Sequence, residues 1–404
     1  MLRYYKHSLL DLFIKVQIVK EDPEMNQELC LTIQEILIKK ITYIEKRIRT
    51  LKADIKACKK ELRTKRFRPS AKRKSIEIKS RIKANQIRIK QYQGILSIFR
   101  DIGDALAFIY INKWDIKPMS FKEPSGFISG KKGARLERKC LRGTFEIGGV
   151  ALLNDLTHCL RYGDITVPKE GFFLIFEMKS GRWKNIREKR QVNDLKNIYE
   201  YLLTDKTDKL YGLPGKMVRR PIHSDEVYHT KEINALINDS ISKGLVFDEV
   251  EKGLIYFVAT RYDKDLMDKG INLSRKKPIL EHLNQMSFIG LGGYHPFTLS
   301  IRDPEALYNF YDGKLQIVVA VDPSVITEFF DQEGYDIRFL EKDYHNVMAI
   351  SPKRLSATGP KHIFVGRHYF GRVFYEFLSL KWVLGELTYI MKSSSFLLDE
   401  QLCA

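Results

Sequence analysis

Apolar residues recur at alternating steps of four and three along two stretches in the first quarter of the chain. The first stretch runs from Leu37 to Leu62, and the second runs from Ile78 to Phe99. Such spacing forms the heptad seam of a coiled coil. Pro69 lies between the stretches, and proline cannot continue a helix. The pattern predicts an antiparallel coiled-coil hairpin over about residues 28–113, within a helical region 1–116. It does not distinguish a hairpin that closes on itself from one that forms a homodimer or higher oligomer.

A different pattern begins after residue 130. A helical periodicity from Ala134 to Phe145 is followed by β-forming segments at 150–153, 163–167 and 172–179. Residues 168–171 have the composition of a turn. The last two segments therefore form a predicted β-hairpin, and the apolar run in the second strand predicts a strand buried on both faces.

The end of that second strand is the main candidate for chemistry. Because side chains alternate between the faces of a strand, Glu177 and Lys179 lie on one face, and Asp164 can reach the same spot across the hairpin. Two carboxylates around an open position suit a hard cation such as Mg²⁺ or Mn²⁺. Lys179 would then orient the attacking water or stabilise the transition state. The structural alternative is an ion pair at the strand end, with Asp164 capping a turn.

Composition and charge narrow the class of protein. The chain has 404 residues, is 44% hydrophobic and has a net charge of +19. It contains no apolar run of about 18 residues and no signal-peptide pattern, so we expect a cytoplasmic protein with no membrane partner. Five scattered cysteines predict neither a disulfide framework nor a zinc knuckle. Each of the isolated histidines, including His158, is interpreted as structural.

The positive charge is concentrated in the predicted hairpin. Between Lys39 and Lys90 there are 21 Lys or Arg residues and four acids. Such a block favours contact with a phosphate backbone, or docking on an acidic partner. The candidate nucleic-acid contacts at the predicted turn are Arg66, Arg68, Lys72, Arg73 and Lys74. A second basic group follows the predicted site and consists of Arg182, Lys184, Arg187, Lys189 and Arg190.

The segment 163–167 followed by 172–180 resembles the core motif of the PD-(D/E)xK nucleases, which include restriction endonucleases and Holliday-junction resolvases. The resemblance covers about residues 130–205. It implies an α/β fold with a restriction-endonuclease-like mixed sheet flanked by helices, within a nuclease-like domain at 127–262. A C-terminal α/β region, 263–404, has no motif with recognisable chemistry.

The resemblance also implies a role for each matching residue. Asp164 matches the motif aspartate, Glu177 the second acid and Lys179 the lysine. Gln191, in a predicted helix 186–203, stands where some members have a glutamine. The acid expected from the preceding helix is Glu137 or, second, Glu146, and Asp155 is a rival to Asp164. Glycine rather than proline precedes Asp164, which departs from the motif.

These observations predict a metal-dependent DNA endonuclease. DNA is preferred over RNA only through the resemblance. The alternative is a catalytically inactive nuclease fold that binds nucleic acid or scaffolds a complex through the basic coiled coil. A third hypothesis is a bacterial or phage-related defence nuclease that stays latent until a partner acts on the C-terminal half.

Overall fold

The computed structural model describes residues 1–64, 71–120, 126–131, 133–178, 186–208, 210, 217–261, 277–286, 292–354 and 362–393. Within the helices, the side chains of residues 64, 71–72, 186–191 and 285–286 lie outside this description. The predicted α/β class is confirmed, because helices accompany several small antiparallel sheets and the N-terminal region is helical. None of the described helices combines the length and apolar character needed to cross a membrane.

The chain divides into two compact units. The first comprises Met1–Trp183 with Ser287–Gly292, and the second comprises Lys184–Met286 with Gly293–Ala404. The predicted boundaries near residues 116–127 and 262 do not coincide with this division. In the first unit, buried side chains of the helical region bond directly to the segments that follow it. Gln34, for example, donates to the carbonyl of Ala151 at 2.8 Å and accepts from the amide of Leu153 at 2.9 Å.

The first unit begins with helices and ends with a three-stranded sheet. Its α-helices are α1 (Lys6–Glu21), α2 (Gln27–Thr64), α3 (Ala71–Tyr110), α4 (Lys113–Met119) and α5 (Ala134–Glu146). Its strands are β1 (Leu152–Leu153), β2 (Ile165–Lys169) and β3 (Phe172–Phe176), in the order β1-β2-β3. Short 3-10 helices cover Leu2–Tyr5 and Asn154–Leu156.

Helices α2 and α3 form the antiparallel pair that the heptads predict. Polar contacts cross the pair between Asp54 and Arg81 at 2.9 Å and between Asp54 and Asn85 at 2.6 Å. Asn85 occupies a seam position and is buried. Near the base of the pair, Gly103 of α3 lies against the turn 154–156. A Cβ atom added at Gly103 would be 2.0 Å from the carbonyl oxygen of Leu156. This close approach brings the backbone before the β-hairpin directly onto α3.

Strands β2 and β3 pair from Ile165 with Phe176 to Lys169 with Phe172, around a two-residue turn. The prediction of a strand buried on both faces is wrong. Phe173 and Ile175 are each 7% exposed, whereas Phe172 is 53% and Phe176 is 44% exposed. One face of β3 is therefore buried, and the other is largely open to solvent. All pairings among the described strands are antiparallel, unlike the mixed sheet that the resemblance implies.

The second unit contains more helices and three further sheets. Its helices are α6 (Ile186–Thr204), α7 (Thr230–Lys243), α8 (Leu283–Met286), α9 (Phe297–Ser300), α10 (Pro304–Tyr311), α11 (Pro323–Gln332), α12 (Arg367–Phe370), α13 (Arg372–Tyr375) and α14 (Leu380–Ser393). Its strands are β4 (Lys206–Thr207), β5 (Met217–Val218), β6 (Leu245–Glu251), β7 (Leu254–Ala259), β8 (Ile279–His282), β9 (Gln316–Val321), β10 (Tyr335–Phe339), β11 (Asn346–Pro352) and β12 (Ile363–Gly366). They form the sheets β6-β7-β9-β8, β10-β11-β12 and β4-β5.

A buried ion network joins separate segments of the second unit. The guanidinium of Arg372 is fully buried, and its Nε donates to Glu376 at 2.7 Å. It also pairs with Glu226 from a distant part of the sequence. Removing one partner of such a network leaves a buried charge without compensation. We therefore interpret the network as structural.

Gly163 fixes the entry into β2 and hence the position of Asp164. Its φ angle is +70°, and a Cβ atom there would be 2.4 Å from Cγ2 of Ile175 and 2.9 Å from the carbonyl oxygen of Phe176. Proline, whose φ is near −65°, cannot adopt this conformation. The departure from the proline of the motif therefore has a steric cause.

We predict that Gly163→Ala lowers the free energy of unfolding by about 3 kcal/mol, because left-handed strain adds to overpacking. Gly171→Ala is the matched control: φ is +74°, but apart from its chain neighbours no atom of the described residues lies within 4 Å of the added Cβ. The control should lose about 1 kcal/mol from strain alone. Urea unfolding measures both values, and equal losses would contradict the steric account.

Candidate metal centre

Glu137 lies in the first turn of α5, and its side chain points into the first unit. The residue is 1% exposed. Its Oε1 is 3.0 Å from Nζ of Lys131, yet neither carboxylate oxygen has a hydrogen bond of good geometry among the described residues. Burial raises the pKa of Glu137, and the charges of Asp164 and Asp155 add to this increase, although Lys131 opposes it. A nearby cation would stabilise the ionised form of this buried carboxylate.

Asp164 is held by backbone contacts on both sides. Its amide donates to the carbonyl of Phe176 at 2.7 Å, and its carbonyl accepts from the amide of Asn154 at 3.0 Å. The side chain is equally fixed: Oδ2 accepts from the amide of Met178 at 2.7 Å, and Oδ1 is 2.7 Å from Nζ of Lys131. Asp164 therefore lies at the end of the hairpin, beside the backbone that follows β3.

Asp155 comes from the 3-10 turn between β1 and β2. Its Oδ2 is 2.9 Å from Nζ of Lys131. The neighbouring Asn154 fixes this turn, since its side chain donates to the carbonyl of Tyr162 at 2.6 Å and accepts from the hydroxyl of Thr166 at 2.8 Å. The turn is therefore tied to the loop before β2 and to β2 itself, which sets where Asp155 can reach.

Three carboxylates from three separate elements thus meet at one ammonium group. Lysine offers three donors, and Nζ of Lys131 has one contact each with Glu137, Asp155 and Asp164. Burial of Lys131 opposes its charge, but the charge of Asp155 and the hydrogen bond to Asp164 outweigh burial and raise its pKa. All three oxygens lie within 3.0 Å of a single cationic centre.

The predicted acids have different outcomes. Glu137 and Asp164 come together, and Asp155 joins them rather than replacing either. Glu146 lies nine residues further along α5, about 13 Å along the axis, and is exposed. Glu177 is half-buried and follows Phe176, which pairs with Ile165; this places its backbone opposite Asp164. Its side-chain role as a metal ligand stays a prediction.

The predicted cations lie largely beyond the described residues or side chains. Those outside the described residues are Lys179, Arg182, Lys184, Arg66 and Arg68. Arg187, Lys189, Arg190 and Lys72 lie on described helices, but their side chains are outside the description, as is the side chain of Gln191. Arg73 and Lys74 are described and exposed, at the start of α3.

Sequence reasoning missed Lys131. It is one lysine among many in a basic chain, and its contact with the acids depends on loop geometry. Its position six residues before Glu137 is the only sequence relation that links it to a predicted acid.

A second cluster was also missed, and it lies where α3 meets the loop before β2. One ligand atom each of Asp101, Asp104 and His158 lies within 4.8 Å of the others, so the group could hold a metal ion. However, Oδ1 of Asp104 already accepts the amides of His158 at 2.7 Å and Cys159 at 2.9 Å. Nε2 of His158 lies 3.2 Å from the carbonyl oxygen of Ser97.

The charges around this cluster indicate a structural role. Burial lowers the pKa of His158 to about 3, and the nearby positive charges of Arg100 and Arg161 contribute. His158 is therefore neutral near pH 7, and its 3.6 Å contact with Asp101 is not an ion pair there. Two neighbouring guanidinium groups also disfavour a divalent cation. We interpret the cluster as the attachment of the loop before β2 to α3.

Comparisons of the chain with family models, with curated proteins and with solved structures found no match. A functional assignment therefore rests on the residues and their geometry.

Asp104 gives a prediction about pH. Burial raises its pKa to about 6, although hydrogen bonds from Cys159 and His158 oppose the shift. Because the folded pKa exceeds the ordinary value, folding stability decreases as pH rises from about 4 to 6, and the full penalty remains above that range.

Asp104→Asn removes this titration while keeping an acceptor for both amides. We expect the stability of the variant relative to the original protein to increase between pH 4 and 7 by up to about 3 kcal/mol, measured by urea unfolding. The exposed Asp336→Asn serves as control. A pH-independent difference for Asp104→Asn would contradict the buried-carboxylate account.

Proposed function

We propose that this chain is a metal-dependent nuclease that hydrolyses phosphodiester bonds of DNA. The observation that supports it best is the meeting of Glu137, Asp155 and Asp164 at one cationic centre. The proposed ion is Mg²⁺ or Mn²⁺, with Glu177 as a further ligand. The ion would polarise the scissile phosphate and lower the pKa of a bound water.

The donor set fits this class of ion. All three described donors are carboxylate oxygens, which hard divalent cations prefer. The buried oxygens of Glu137 have no well-formed hydrogen bond among the described residues, so coordination would satisfy them. Asp164 is held by the amide of Met178, an arrangement that keeps a ligand oriented. In the proposed reaction Lys179 orients the attacking water or stabilises the charge that develops on the phosphate.

The order of elements also supports a restriction-endonuclease-like core. Helix α5 supplies an acid, a three-stranded antiparallel sheet follows, and Asp164 immediately precedes β2. Glu177 immediately follows β3, opposite Asp164 by the register of the hairpin. This is the sequence of elements and acids that the PD-(D/E)xK resemblance implies.

One observation favours the non-catalytic alternative. The ammonium of Lys131 already compensates the acidic cluster without a metal ion. A nuclease-like fold that uses this lysine permanently would bind nucleic acid without turnover in any divalent metal.

We predict that Asp164→Asn and Glu137→Gln each lower Mn²⁺- or Mg²⁺-dependent cleavage of plasmid DNA by at least about a hundredfold, because each removes a proposed metal ligand. Glu146→Gln is the matched control on the same helix, since Glu146 is exposed, and it should leave cleavage unchanged. Circular dichroism would show that the variants fold. Undiminished cleavage by folded Asp164→Asn would refute the assignment.

The proposal includes contact between the basic hairpin and the phosphate backbone. We predict that the double variant Arg73→Ala, Lys74→Ala binds DNA more weakly. The negative slope of log K against log salt should become less steep, by between about one and two, because phosphate contacts are lost. Both residues are exposed, although Lys74 lies 3.5 Å from Glu61, which reduces its share. Fluorescence anisotropy across a salt series measures the slope.

The control for this measurement is Lys252→Ala with Lys353→Ala. These lysines are also exposed and also lie near acids, but they belong to the second unit. An equal change of slope in both double variants would contradict a hairpin-specific contact.

A further inference from the structure

Lys131 reaches the three carboxylates from a short segment, the strap (residues 126–131), that is fixed to α2. The buried carboxylate of Glu45 accepts the amides of Ile128 at 3.2 Å and Ser129 at 2.7 Å. Arg49, one turn further along α2, donates to the carbonyl of Ser129. The position of the strap is therefore set by the coiled-coil hairpin.

The strap also has a side-chain contact with the hairpin. The ring of Phe127 lies 5.4 Å from the guanidinium carbon of Arg49 and 5.5 Å from Nζ of Lys52. Both distances are within the range of cation–π attraction. Backbone and side-chain contacts thus hold the strap on the same face of α2, and Lys131 lies at its C-terminal end.

The ammonium of Lys131 and a divalent ion need the same oxygens. Nζ lies 2.7 to 3.0 Å from one oxygen of each acid. A magnesium ion binds carboxylate oxygens at about 2.0 to 2.1 Å, so it would draw these oxygens closer around the region that Nζ now occupies. Two cations cannot share that region, because their repulsion in a partly buried site is large. One must therefore move away when the other binds.

We infer that Lys131 is an internal cation that keeps the three carboxylates together without metal and competes with a divalent metal ion for them. This inference rests on the proposed metal site and adds a regulatory feature to it. Because the strap is tied to Glu45 and Arg49, the hairpin determines how readily Lys131 leaves. Contacts that shift α2 would thereby change the affinity of the site for metal.

The first test is Mn²⁺ binding to the full chain by isothermal titration calorimetry. Lys131→Met removes the competing charge and keeps a side chain of similar length, so affinity should rise by at least roughly tenfold. Lys139→Met, at an exposed position on α5, should leave affinity unchanged. Addition of Asp164→Asn to either protein should abolish binding.

The outcomes separate this inference from the proposed function. If binding requires Asp164 but Lys131→Met binds Mn²⁺ no more tightly, the competition is refuted and the metal site stands. If no binding depends on Asp164 in either protein, the proposed metal site itself is refuted, and this inference with it.

A second measurement needs no variant and so does not depend on its folding. Acetic anhydride labels unprotonated amines, and the side chain of Lys131 is 32% exposed, so the reagent can reach it. Lys131 should label slowly without metal and several-fold faster at saturating Mn²⁺, whereas Lys139 labels equally in both states. Mass spectrometry measures both rates. Unchanged labelling of Lys131 at saturating Mn²⁺ would overturn the inference.

Discussion

The close approach of three carboxylates, with Glu137 and Asp164 buried and Asp155 half-buried, is the constraint on which the first unit depends. Each ionised carboxylate loses several kcal/mol of hydration when it is buried, and like charges at this separation repel one another. The raised pKa of Glu137 reflects burial first and the charges of Asp164 and Asp155 next. A cation at the centre of the cluster therefore stabilises the folded state, whether it is Lys131 or a metal ion.

A few buried polar side chains of the coiled-coil hairpin hold the cluster residues in place, by hydrogen bonds to the backbone segments that contain them. Gln34 bonds to β1, two residues before Asp155. Glu45 bonds to the strap, two residues before Lys131. Asp104 bonds to the loop that leads to Asp164. Each side chain thus fixes a backbone segment that ends in a member of the cluster. Helices with the pattern of an ordinary coiled coil therefore serve as the support for a polar site.

The local sequence pattern predicted which helices and strands form better than it predicted what packs against them. Heptad spacing gave α2 and α3, and the composition of residues 163–176 gave the β-hairpin with Asp164 at its entry, because both signals come from neighbouring residues. The prediction that β3 is buried on both faces was wrong, since an all-apolar strand does not reveal whether a second layer covers it.

The residues of the site likewise divide into those that a local pattern predicts and those that only long-range contacts position. Glu137 and Asp164 stood out because they belong to a helix and a hairpin with recognisable patterns. Lys131 did not, because its place depends on hydrogen bonds between Glu45 and a loop more than 80 residues away. Asp155 and Asp164 both reach the site because a 3-10 turn places Asp155 beside the hairpin, and amino-acid composition does not encode the geometry of that turn. Loop-borne members of a site are fixed by long-range contacts, so a single sequence does not reveal them.

The two ends of the hairpin carry opposite charge, and this difference relates metal binding to the approach of a polyanion. Towards its turn the hairpin exposes Arg73 and Lys74, which attract phosphate. At its base, Lys131 and the three acids leave two net negative charges if every acid is ionised, and this repels phosphate. Exchange of the ammonium for a divalent ion neutralises one of these charges. It also frees an ammonium group beside the centre. The same step that completes the proposed metal site would thus remove the electrostatic barrier to its substrate.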